Sequence, residues 1–308
     1  MDLRDAYGAS LLELVEEDSR VVALDADLSK STKGNMIEAK FPDRHFEMSI
    51  AEQNMISTAV GLAIKGKIPF VHSFAVFLTG RAYDQIRVGA AFPMCNVKLI
   101  GSSAGLSDYG DGATHQSIED VSLMRVLPNM TVIVPSDAVE TAKATKAIAR
   151  LIGPVYMRIG RNAWPLVFPE TEEFIIGKVY QLRKGRHVTI FSNGVMVSKA
   201  LEAAETLAKD GIETGVVNVS TVKPLDRDSI VALAKETGHV VVAEEHSIIG
   251  GLCSAVTEAL RAERNVVTEF VGIRDTFGQS ACCSEDLMEV YGLTSSDVAQ
   301  ACRKVLTL

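Results

Sequence analysis

Glu52 is an acid among apolar neighbours. With Gln53 it heads the run Met55, Ile56, Ala59, Val60, Leu62, Ala63 and Ile64, which leaves little polar surface, so the helix is expected to be buried on several sides. A carboxylate placed there needs a reason. A second set of polar residues lies in "GDGATH" (110–115), a glycine-rich loop on the carboxyl side of a strand-like run, where loops carry chemistry; Asp111 and His115 are the functional candidates. That loop holds His115 where a G-x-G-x-x-G motif needs its last glycine, which argues against a dinucleotide site. "GSSAG" (101–105) matches a nucleophile elbow and follows a predicted strand. The next residues, "LSDYGDGATH", read as an extended loop and not as the required helix, so a Ser103 hydrolase is a distant alternative.

The remaining candidates divide by position. His72 closes an apolar strand and reads as a core histidine, whereas His246 in "EEHSIIGG" is open between interface and core. Arg158 and Arg161, in "YMRIGR", end a buried strand, where paired N–H donors could hold a phosphate. A surface role is open for either, with Arg158 ahead because it sits within the strand. Phe74 and Phe77, in "SFAVF", serve equally as core residues or as a platform for a flat aromatic ring.

The elements that must position these groups are strand-like runs at 20–26, 68–74, 96–102, 130–136 and 154–160, alternating with helical patterns near 3–16, 51–66, 77–91, 117–126 and 137–150. β-Branched strands buried on both faces and separated by helices predict a largely parallel, doubly wound sheet. The stretch 161–186 breaks the rhythm with prolines and clustered charge. The alternation then resumes with strands at 187–194, 213–220, 239–245 and 265–273 and helices between them. The expected fold is therefore α/β with two doubly wound domains, 1–165 and a smaller 187–308, joined by a linker over 166–186.

Composition narrows the function classes. A net charge of −8, with no run of about five or more Lys/Arg, argues against nucleic acid or an anionic membrane as the main partner. No apolar stretch approaches the ~18 residues of a membrane span, and the acidic, amphipathic "MDLRDAYGASLLELVEED" is unlike a signal peptide, so a cytoplasmic location is expected. Five cysteines without a C-x-x-C suit neither a disulfide framework nor a zinc site.

Taken in order and spacing, "ALDADLSKS", "SIAEQNM", "HSFAVFLTGRAYDQIR" and "GDGATHQSIED" resemble the transketolase family of thiamine diphosphate enzymes. The resemblance covers the family's pyrimidine-binding and C-terminal domains and implies the C-terminal subunit of a split transketolase. Such a subunit transfers a two-carbon ketol unit from a ketose to an aldose. The double asparagine of the family's metal motif is missing after "GDG" (110–112), so Mg²⁺ (or Ca²⁺) and the diphosphate are expected on a separate N-terminal subunit, in a heterotetramer with two of each chain.

The resemblance also implies residue roles. Glu52 would hydrogen-bond N1′ of the aminopyrimidine, where a desolvated carboxylate can share a proton. Phe74 and Phe77 would pack on that ring, and Asp27 would contact the cofactor. Asp111 and His115 would meet substrate hydroxyls, with His115 near the donor ketone, while Ser31 and Arg158 would bind the sugar phosphate. The family commonly places a histidine where this chain has Ser102 and Ser103, which leaves the sugar pair open, sulfonated or branched sugars included. The β subunit of a 2-oxoacid dehydrogenase and a non-catalytic regulatory subunit are the alternatives.

Overall fold

The computed structural model describes residues 2–308. Runs such as "VVALD" and "IPFVHSF" have no polar face to offer solvent, and they become strands buried along their whole length. The first sheet contains β1 (Val21–Asp25), β2 (His45–Glu47), β3 (Ile68–Phe74), β4 (Lys98–Ser102), β5 (Thr131–Ile133) and β6 (Val155–Arg158). The second contains β7 (Tyr180–Arg183), β8 (Val188–Ser192), β9 (Thr214–Asn218), β11 (His239–Ser247) and β12 (Val267–Ile273). β10 (Thr221–Lys223) follows β9 in the chain but joins the first sheet, giving the orders β10-β5-β6-β4-β3-β1-β2 and β12-β11-β8-β9-β7. All neighbours are parallel except β10 with β5 and β7 with β9.

Helices cover both faces of the first sheet. Tyr7, Leu11 and Val15 of the helix Leu3–Glu17 pack with Ala144 and Ile148 of Ala138–Arg150 on one side. Met55, Ile56 and Ala59 of Glu52–Ile64 pack with Leu78 and Ile86 on the other. Side-chain caps start two of these helices: Asp2 accepts from the Asp5 N–H and Asp137 from the Glu140 N–H.

Four departures from the sequence reading have physical causes. The expected linker contains a strand, β7, whose antiparallel pairing with β9 supplies an edge and leaves only Tyr180 of its four residues buried. The helix Glu52–Ile64 is buried on one side only, because Gln53, Asn54, Ser57, Gly61 and Ile64 share an exposed face. Helical residues 77–91 contain two π-helical stretches, Phe77–Arg81 and Ile86–Ala91, around a short α-helical turn. Two unforeseen helices, Ser284–Val290 and Ser295–Val305, close the chain; Leu287, Val298, Cys302 and Val305 complete the core of the second sheet. Among the described residues no helix is long and apolar enough to cross a membrane.

Candidate active site

β3 delivers Phe74 at its carboxyl end, and the π-helical stretch that follows places Phe77 and Arg81 beside it. The two phenyl rings lie nearly parallel, at an interplanar angle of 15° with centroids 6.1 Å apart. Glu52, in the first turn of its helix, points its carboxylate to the same place. It is only 1% exposed. Ser73 Oγ donates to Oε1 at 3.3 Å and Arg81 Nη1 to Oε2 at 2.8 Å. The Arg81 guanidinium also lies over the Phe77 ring, 4.7 Å from its centroid. Neither Arg81 nor Ser73 stands out in the sequence; the available signal is an arginine inside the aromatic motif, which ends the π-helical stretch.

The loop after β4 brings in the histidine. His115 sets its ring edge-on to Phe77 and Phe74, with centroids 5.1 and 6.2 Å away, and its Nδ1 lies 2.9 Å from Thr114 Oγ1. Glu52, Phe74, Phe77 and His115, widely separated in sequence, therefore form one cluster. Asp111 is exposed on the same loop, and beneath it lies a third unforeseen residue, Asp108. Burial pushes the Asp108 carboxyl up; Arg161, 2.9 Å away, opposes this and the nearby Asp111 adds to it.

Arg158, expected to hold phosphate ahead of Arg161, is instead part of the interior. Its side chain is 5% exposed. Nε donates to Asp120 Oδ2 at 3.0 Å and Nη2 to the Glu245 carbonyl at 2.8 Å, and Nη1 lies 3.7 Å from Glu245 Oε2. Burial would lower its pKa, but Asp120 and Glu245 more than offset this and raise it. The difference is one of strand direction. Residue 158 faces inward within β6, whereas Arg161 lies past the strand end with its side chain 43% exposed.

Asp27 and Ser31 sit beyond β1. Asp27 is exposed, adopts a left-handed φ of 59°, and its N–H donates to Glu47 Oε1 at 2.8 Å. Ser31 is half-buried and its carbonyl accepts from Arg4 Nη1 at 3.3 Å. Neither has a hydrogen bond to the Glu52 cluster among the described residues. His72 is a core histidine, held between Asp25 Oδ2 at 3.2 Å and the Tyr7 hydroxyl. His246 is an interface residue: Nδ1 donates to the Ser247 carbonyl at 2.7 Å, and Nε2 accepts from the Ser122 N–H across the junction at 3.4 Å. Ser103 does have the left-handed φ, 50°, of an elbow residue, but the chain continues as a loop and its hydroxyl has no histidine partner among the described residues.

A near-parallel aromatic pair, a histidine edge and a buried carboxylate at one rim suit a flat heteroaromatic ring that carries a hydrogen-bonding nitrogen, as the aminopyrimidine of thiamine diphosphate does. The family model for the transketolase pyrimidine-binding domain matches residues 1–165 and that for the transketolase C-terminal domain matches residues 177–298. The 6-deoxy-6-sulfo-D-fructose transketolase subunit SqwH of Clostridium sp. strain MSTE9 is 43% identical over 98% of this chain and 94% of its own length. The putative transketolase C-terminal section of Methanocaldococcus jannaschii is 42% identical, covering 97% and 94%. Among solved structures, a split-gene transketolase described as an inactive beta4 tetramer superimposes with a TM-score of 0.93 at 48% identity, over 100% of this chain and 99% of that one. The chain belongs to the transketolase family, a thiamine diphosphate-dependent family whose pyrimidine-binding and C-terminal domains it carries over the same extent as the split-gene subunits.

Proposed function

We propose that this chain acts as the C-terminal subunit of a cytoplasmic split transketolase, moving a two-carbon ketol unit from a ketose phosphate or related ketose to an aldose. The observation that carries the reading is the convergence of Glu52, Phe74, Phe77 and His115 on one rim. Thiamine diphosphate, when bound, supplies the carbanion chemistry that breaks and makes carbon–carbon bonds beside a carbonyl. This chain's residues bind and orient. Glu52 holds a proton at the pyrimidine N1′, the phenyl rings pack against the pyrimidine, and Asp27 contacts the cofactor from the β1 loop. His115 and Asp111 hydrogen-bond the hydroxyls and ketone of the donor, and Ser31 binds its anionic end. Arg161 takes the phosphate-binding place that the buried Arg158 leaves.

Mg²⁺ and the diphosphate belong to a separate N-terminal subunit, in an assembly of two copies of each chain. The exposed face of the helix Glu52–Ile64 gives such a partner a place to lie against the site. The test is reconstitution. The tagged chain is purified from its own cells, its partner is identified by mass spectrometry, and the complex is supplied with thiamine diphosphate and Mg²⁺. Ketol transfer is then measured from ketose phosphates and from 6-deoxy-6-sulfo-D-fructose, the sugar named for the Clostridium relative. Transfer that needs both chains is the expected result. Recovery of the chain alone, or a complex without transfer from any ketose, overturns the proposal.

A further inference from the structure

The loop that carries Asp111 and His115 is anchored in the second domain. Leu106 near its start and Ile118 just past His115 are both buried in the core of the second sheet. Their backbones are fixed there as well: the Leu106 N–H donates to Glu245 Oε1 at 2.9 Å, and the Ile118 carbonyl accepts from the Ser247 N–H at 2.8 Å. Between these anchors the segment 278–281, which follows β12, lies directly on the loop. The Ala281 N–H donates to the Tyr109 carbonyl at 2.9 Å. Gln116 Nε2 donates to the Gln279 carbonyl at 3.0 Å and to the Asp108 carbonyl at 3.3 Å.

The contact leaves no room for a side chain at either glycine. A Cβ on Gly112, whose φ is +75°, would come 2.4 Å from Ser280 Oγ, and one on Gly278 would come 1.7 Å from Gln116 Oε1. Gln116 is buried and immediately follows His115. One side chain therefore ties the far end of the loop to its near end and to the other domain. A loop without such ties is mobile, and a displacement of ~1 Å at a reacting group can cost roughly 10²-fold in rate.

We propose that Gln116 and the segment 278–281 are a positioning device for His115, through which the second domain fixes the imidazole against Phe74 and Phe77. Gln116 is a positioning residue: it acts through His115 and touches neither substrate nor cofactor. The inference rests on the ketol-transfer reading of the His115 cluster, and it gives the second domain a part in the chemistry. Gly112 and Gly278 are then required because Ser280 and the Gln116 side chain fill the space that a Cβ at either position would need.

A double-mutant cycle in the reconstituted complex tests this. Gln116→Ala should lower kcat by about tenfold to 10²-fold while thiamine diphosphate affinity and the thermal midpoint stay near wild type. In a His115→Ala background the same change should cost almost nothing further. Gly278→Ala, which displaces Gln116 without removing it, should behave alike. A second readout needs no turnover: with the six histidines isotopically labelled, the His115 ring resonances should shift in both variants and the buried His72 resonances should not. Equal losses in the wild-type and His115→Ala backgrounds, or unmoved His115 resonances, overturn the proposal. A wild-type complex that transfers no ketol unit from any donor defeats the underlying reading instead, and the resonance shifts still decide whether Gln116 places His115.

Discussion

Asp25 and Glu52 are both buried carboxylates on the first sheet's rim, and their surroundings differ in one respect. Asp25 accepts from Thr32 Oγ1 at 2.5 Å and from His45 and His72 at 3.2 Å each, and His72 is held in turn by Tyr7. Every partner is itself buried. Burial alone would push the Asp25 carboxyl up, but the neighbouring His72 and the bonds from His45, His72 and Thr32 more than offset it and hold the pKa well below the carboxylate range. Among the described residues Glu52 has the partners Ser73 and Arg81, and the Arg81 side chain is 45% exposed. A closed set of partners leaves a carboxylate nothing to do but hold its neighbours in place. An open one leaves capacity for a ligand. Arg158 and Arg161 repeat the contrast within a few residues, one enclosed by Asp120 and Glu245, the other reaching past Asp108 toward solvent.

Neutralising each acid in turn separates the two roles. Glu52→Gln keeps the shape of the side chain and removes its proton-holding capacity, so the reconstituted complex should lose roughly 10²-fold or more of its turnover. Subunit assembly and the thermal midpoint should be unchanged. Retention of more than about a tenth of the activity would remove Glu52 from the chemistry. Asp25→Asn should do the reverse, lowering stability by about 2 kcal/mol at pH 7, the scale of hydrogen bonds to a charged group, with the chemistry intact in what remains folded. The sign with pH follows from the lowered pKa of Asp25 in the fold. Its contribution is present above the ordinary carboxylate pKa of about 4 and drains away as pH falls below that value. The gap between wild type and variant in urea unfolding should therefore narrow at low pH. A gap that widens on acidification would show that Asp25 is not the ionised centre of its network.

Much of the first domain was legible because its strands are continuous β-branched runs, and Glu52 was legible because it interrupts an apolar pattern. His115 could be read from its loop. What sequence could not supply was the company each residue keeps. Strand periodicity puts Arg158 and Arg161 near one strand end but does not say that Asp120 and Glu245, far away in the chain, would enclose the first. Arg81 reaches Glu52 from the end of a π-helical turn after β3, a geometry that apolar spacing does not announce. β7 is a short, half-exposed edge strand and so has no fully apolar run to mark it, and β10 is invisible to any reading that assigns each strand to the sheet of its chain neighbours.

The smallest predicted effect concerns the half-exposed arginine, Arg161. Arg161→Met removes the exposed cation and leaves Asp108 in place, whose carboxyl, already raised by burial, loses the opposing charge and rises further. Because the Arg161 side chain is half-exposed, stability should change little. KM should rise about tenfold, the scale of one charge-assisted contact, for donors that end in phosphate or sulfonate, with kcat nearly constant, as expected when binding is lost equally in the ground and transition states. A donor without a terminal anion should show no such rise. If neutral and anionic donors suffer alike, Arg161 serves the loop that holds Asp108 and not the substrate, and the distinction between an enclosed arginine and an available one fails at this position.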